Sequence, residues 1–166
     1  MNAAYFRQLS RYNAWANERL YAACAELSDE ARKRRRPSFF GSIHRTLNHI
    51  LVGDRIWLSR LDGRPHGVES LDQELYGDFA ELSAARAQED ARLSAIVGRY
   101  KDEDLARHLD YRSMAGEAKS VPMVQVLGHL FNHQTHHRGQ IHGLLSDTRV
   151  APPSLDLLYV AWDATA

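Results

Sequence analysis

Residues 123–145 read MVQVLGHLFNHQTHHRGQIHGLL, and the fold is decided by how this stretch repeats. Met123, Val126, Leu127, Leu130, Ile141, Leu144 and Leu145 recur at helical spacing. They define the apolar face of a helix that follows Ser120, tolerates Pro122 in its first turn and reaches about Leu145. Three earlier segments carry the same period. The first runs from about Asn2 to Leu27 and places Tyr5, Leu9, Tyr12, Ala16, Leu20, Ala23 and Leu27 in one stripe. The second begins after Ser42, a natural N-cap, and continues through Ile43, Leu47, Ile50, Trp57 and Leu61 to a stop at Asp62-Gly63. The third starts at Asp78, with Glu81 as capping-box partner, and carries Phe79, Leu82, Leu93, Ile96 and Tyr100. Four helices of roughly 20 to 26 residues, ~30–39 Å each, predict an all-α four-helix bundle in a single domain over residues 1–166.

The connections read differently. Residues 63–77 are expected to be mostly loop. In residues 107–119, Leu109 and Tyr111 alternate with polar residues and Ala115-Gly116 suits a turn, so a short hairpin is expected between the third and fourth helices. After Pro152-Pro153, Ser154 is placed to cap a short last helix through Tyr159 to Trp162. The order of the four helices does not follow from these patterns.

Composition narrows the function. The 166 residues contain 21 Lys+Arg and 21 Asp+Glu, so the formal charge is 21 − 21 = 0. General nucleic-acid and anionic-membrane binders need surplus positive charge, and this chain has none. The one dense basic run, Arg32-Lys33-Arg34-Arg35-Arg36, is offset by Glu89-Asp90 and Asp102-Glu103-Asp104 and reads as a solvated loop. Cys24 is the single cysteine, so no internal disulfide is available. The longest purely apolar run, Leu157 to Trp162, is far short of a membrane span, and the N-terminus lacks a signal-peptide pattern. A cytoplasmic protein without membrane or nucleic-acid partners is expected.

Five of the nine histidines, His129, His133, His136, His137 and His142, lie within residues 129–142. Helical residues four apart stand one above the other, so two imidazoles at that spacing can meet one metal ion. At ~100° per residue, His137 falls inside the apolar arc of its helix and His133 on its edge. His129 and His136 turn towards the polar side, and His142 lies at the opposite margin. His133 and His137 are therefore the inward pair. A chance His-x-x-x-His is common, and a histidine on an apolar face is usually a hydrogen-bonded core residue, so the pair needs a third donor from another helix. His44, His49, His66 and His108 are the candidates. His66 and His108 sit in loop or hairpin and His44 at a helix start, whereas His49 lies well inside the second helix and is the best geometric candidate, although off its main apolar arc. Neither His-Glu-x-x-His nor a repeated Glu-x-x-His occurs, which excludes the zinc-protease and di-iron-bundle readings.

Asp54 falls within an apolar arc and so needs a partner. It can orient a ligand histidine, pair with an arginine or act as a fourth ligand. Asp54 and the Asp156/Tyr159 pair of the tail are the candidate acid–base groups. Arg138 is expected to fix its helix by hydrogen bonding to a buried carboxylate, and Gln140 to fix it likewise. Trp15, Trp57 and Tyr12 read most simply as core aromatics, with walling of a substrate pocket as the other role open to some of them.

Three motifs taken together resemble the DinB/YfiT-like superfamily of metalloenzymes. They are Tyr12-Asn13-Ala14-Trp15-Ala16-Asn17, then Leu47-Asn48-His49-Ile50-Leu51 with Asp54 and Trp57, and His129 through Gln140. The resemblance covers nearly the whole chain. It implies a bundle in up-down-down-up order, a homodimer, and a divalent ion, nickel or zinc, held by His49, His133 and His137. It also implies chemistry with a low-molecular-weight thiol, as in thiol-dependent S-transferases, on a small-molecule substrate. The family name records induction by DNA damage in a relative and implies no DNA binding. Hydrolysis is equally open to three neutral imidazoles with a vacant fourth position. The alternative is a non-catalytic stress-response or interaction module, in which a structural zinc would have four protein ligands.

Overall fold

The computed structural model describes residues 1–160. Four long helices dominate it: α1 (Ala3–Ala25), α3 (Ile43–Asp62), α4 (Phe79–Gly98) and α6 (Met123–Leu145). Two short helices, α2 (Asp29–Lys33) and α5 (Asp102–Leu105), and a hairpin of β1 (His108–Arg112) with β2 (Ala118–Pro122) complete the main elements. The caps form where the side chains can supply them. Asn2, Ser42 and Asp78 accept from the backbone N–H groups of Tyr5, Arg45 and Glu81, and Gly63 closes α3 in the left-handed region.

Pairs of touching residues fix the helix directions. Phe6 stacks on Phe131 and Asn17 meets Arg138, so α1 and α6 run parallel. His49 meets His133 while Trp57 meets His129, so α3 and α6 are antiparallel. Asp54 pairs with Arg86 and Asp62 with Arg92, so α3 and α4 are parallel. Ala3 N–H donates to Asp102 just beyond the end of α4, which makes α1 and α4 antiparallel. Read along the chain, the four long helices go up, down, down and up. Two parallel neighbours in sequence need a return path. Residues 63–78 supply it by running back along α3, held by His44 Nε2 and Asn48 Nδ2 on the Tyr76 carbonyl.

The core is layered. One apolar cluster gathers Leu20, Leu47, Leu51, Leu82, Ile141 and Leu145, and a second gathers Phe6, Leu58, Leu93, Val97, Leu127 and Leu130. Between them lies a buried polar layer to which every long helix contributes: Asn13 and Asn17 of α1, Asp54 of α3, Arg86 and Asp90 of α4, and Gln134 and Arg138 of α6. Arg86 bridges Asp54 and Asp90; Asn13 and Asn17 donate to Asp90 and accept from Arg138; Gln134 donates to Asp54. Two arginines balance two aspartates. Such a layer leaves few buried charges unpaired and penalises any slip of one helix against the others.

Several expectations are corrected. The basic run is only partly solvated. Arg32 is buried, donates to the Cys24 and Leu27 carbonyls at the end of α1 and lies over the Phe79 ring, while Arg36 donates to the Ala31 and Arg34 carbonyls. The last carbonyls of a helix lack partners within it, and these guanidinium groups satisfy them. Ser120 does not open α6, because Val121 and Pro122 pair with Leu109 and His108 in the hairpin and helical structure begins at Met123. The last helix is reduced to a single turn, Leu157–Tyr159; Trp162 lies outside the described residues. Arg138 meets amide oxygens in place of a carboxylate.

Candidate metal centre

On the α3–α6 seam, level with the polar layer, the structure brings His49, His133 and His137 together. One nitrogen of each lies within 4.8 Å of the others. His49 Nε2 and His133 Nε2 are 3.2 Å apart. Two donors bound at ~2.0–2.1 Å to a tetrahedral ion would stand about 3.3 Å apart, so this spacing is already that of a coordination edge. The burial follows the helical wheel: His137 is buried, His133 half-buried, and His129 and His136 exposed.

Orientation comes from the other ring nitrogens. His49 Nδ1 is 2.9 Å from the Leu71 carbonyl, which can only accept, so Nδ1 carries the proton and Nε2 keeps its lone pair. His137 Nδ1 is 2.8 Å from Gln140 Oε1, which sets the same tautomer. Gln140 in turn reaches His136 Nε2 at 3.1 Å. Burial lowers the pKa of all three rings. The shift is greatest for His133, pushed down to about 3 by burial and by the neighbouring imidazoles of His137 and His49. Three neutral nitrogen donors facing one point are compatible with a divalent ion.

Two supports of this arrangement escaped the sequence reading. Phe40 stacks on His49 with centroids 4.0 Å apart and presents its ring to the edge of His137 at 5.6 Å. Gly53, one turn beyond His49, lets the His133 ring lie against α3: a Cβ there would stand 2.7 Å from His133 Cε1. A glycine inside an apolar helix costs about 1 kcal/mol relative to alanine, and that cost was the available signal. Phe40 gave none beyond adjoining Phe39 in a loop.

The remaining candidates lie elsewhere. His44 Nε2 holds the Tyr76 carbonyl, His66 Nδ1 accepts from Val68 N–H, and His108 lies in β1. Asp54 sits inside the bundle with Oδ2 taken up by Arg86 and Gln134. Burial pushes its carboxyl up to about 6, and the Arg86 charge opposes that rise. Tyr159 is 66% exposed in the tail turn, and Asp156 accepts from Ser154. Trp57 packs against the rings of His129 and Tyr111, and Tyr12 donates to the Leu155 carbonyl.

A helical bundle with a three-imidazole cluster across two of its helices defines a class, and sequence comparison gives the family. The model of the DinB family matches residues 1–165, and the chain belongs to that family. It is 27% identical over 153 residues to Protein DinB of Bacillus subtilis strain 168, covering 90% of this chain and 89% of that protein. The crystal structure of a DinB-like protein from Bacillus cereus ATCC 10987 superposes with a TM-score of 0.64 at 20% identity, over 84% of this chain and 89% of that one. The second likeness concerns the fold. Among the described residues, no helix is long and apolar enough to cross a membrane.

Proposed function

We propose that the protein is a metal-dependent enzyme whose divalent ion, nickel or zinc, is held by His49, His133 and His137. The observation that carries this reading is the convergence of three neutral imidazoles, two of them fixed by Nδ1–H donation to Leu71 and Gln140. When bound, the ion supplies Lewis acidity that makes a nucleophile of water or a thiol near neutral pH. Three protein donors leave one tetrahedral position for such a group, which favours a catalytic over a structural role. The chemistry we assign is transfer to or from a low-molecular-weight thiol on a small-molecule substrate, with hydrolysis as the other outcome. Phe40 shields one side of the cluster from water. Of the two acid–base candidates, Tyr159 stands exposed in the tail turn and Asp54 is enclosed within the bundle. Asp54 would act through Gln134, the residue next to His133, as a positioning group. A cytoplasmic homodimer completes the proposal; sedimentation tests the dimer.

Titration with nickel and zinc should give one tight site per chain. His133→Ala should weaken it by about 100-fold or more, with helical circular dichroism unchanged. The loaded protein should turn over a thiol paired with an electrophile, or an activated ester, and lose that activity on chelation. Unchanged affinity in His133→Ala would refute the ligand assignment.

A further inference from the structure

The mouth of the imidazole cluster has a chemical character of its own. A hollow of about 740 Å³ opens beside His49 and His137, within the usual range for small-molecule sites. Its rim carries Phe39, Phe40 and Leu71, and two of these are unusually exposed for their type: Phe39 at 88% and Leu71 at 54%. Phe39 meets Phe40 edge-on at 4.9 Å, so the rim and the ring that covers His49 form one continuous aromatic wall. Large apolar side chains left in water around a concave site mark a ligand surface.

Two arginines and one carboxylate set the charge at this mouth. Arg45 lines the hollow one turn before His49 on the same face of α3. A second hollow shares Phe39, Phe40 and Arg45 with the first and adds Arg35. Among the described residues, neither Arg35 nor Arg45 has a carboxylate within 4.0 Å of its guanidinium. Lys33, also at the second hollow, is paired with Asp29. The one acidic group on the first hollow, Asp72, accepts a hydrogen bond from the Ser70 hydroxyl at 2.8 Å. Two arginines without an ion-pair partner within 4.0 Å thus stand against one carboxylate, Asp72, which the Ser70 hydroxyl holds below the usual carboxylate range with help from the Arg45 charge.

We propose that the substrate of this site is an organic anion with an aromatic or branched apolar body. The body would lie against Phe39, Phe40 and Leu71, and the anionic group would lie on Arg45 with Arg35 behind it. The reacting part would then point towards the three imidazoles. This assignment rests on the proposed metal centre, because only that centre gives the hollow something to react with.

The test uses benzenesulfonate, a poor metal ligand, and methyl phenyl sulfone, its neutral counterpart of the same shape. Metal uptake is measured first, on the same full-length zinc-loaded sample. The sulfonate should then bind roughly fivefold tighter than the sulfone, and Arg45→Gln should remove that difference while leaving the sulfone unaffected. Phe39→Ala should weaken both probes roughly threefold without changing zinc affinity. Amide shifts should centre on residues 39–49 and 136–140. Equal binding of the two probes, an undiminished preference in Arg45→Gln, or shifts centred elsewhere would overturn the substrate class while leaving the metal centre standing. Failure to take up zinc or nickel at all would overturn the metal reading and this assignment with it.

Discussion

The inner and outer faces of the bundle's middle layer use similar chemistry to opposite ends. Inside, Asp54, Arg86, Asp90, Asn13, Asn17, Gln134 and Arg138 bond to one another: Arg86 pairs with both carboxylates, and Arg138 is held by the amide oxygens of Asn13, Asn17 and Gln134. A few ångströms outward on α3 and α6, His49, His133 and His137 face one another with neutral nitrogens and no acidic partner in their group. Adjacent residues on one helix therefore divide the work: Gln134 and Arg138 face in, while His133 and His137 face the seam. The closed layer sets where the helices stand. The open cluster keeps bonding capacity in reserve because that placement is already secured.

The contrast breaks most severely from inside. Arg86→Met should leave Asp54 and Asp90 buried without their cation and cost about 3–5 kcal/mol of stability in urea denaturation. A loss under about 1 kcal/mol would mean that the layer does not hold the bundle together. Gly53→Ala separates the two faces. The new methyl would press on the His133 ring, so metal affinity should fall roughly tenfold while the urea midpoint stays within about 1 kcal/mol of the parent. Equal affinity would show that the ring can move aside and still bind.

A further effect is one of pH. His133 stands at about 3 in the fold against an ordinary 6.5, so on acidification the unfolded chain takes up a proton before the folded one. In metal-free protein this contribution to stability is intact above 6.5 and is lost as the pH falls from there towards 3. His133→Ala should therefore lose less stability than the parent between neutral pH and about pH 4.5, as read from urea midpoints. Parallel curves would mean that the ring is more solvated than its packing implies.

Much of this was legible in the sequence because helices announce themselves by period. Asn2, Ser42, Asp78 and Gly63 marked real helix ends, and Leu109 and Tyr111 marked a real hairpin. His133 and His137 could be read from a single helical wheel, since both lie on α6. His49 was the preferred third donor but its place off the apolar arc left it open, because its role depends on which face of α3 meets α6, and the family resemblance supplied that information. The buried layer was also hidden. Asp54 was conspicuous, but its partner Arg86 lies 32 residues away in an alanine-rich helix with a weak apolar stripe. Arg32 and Arg36 were misread for the same reason: local charge density says nothing about carbonyls left over at the end of another helix.

The return strap along α3 carries a last consequence. Leu71 belongs to residues 63–78, yet its carbonyl dictates which nitrogen of His49 bears the proton. Whatever lifts that strap frees the imidazole to turn, and whatever grips the imidazole must in turn clamp the strap. An ion bound at the seam would therefore be felt 22 residues along the backbone from His49 as slower amide exchange around position 71.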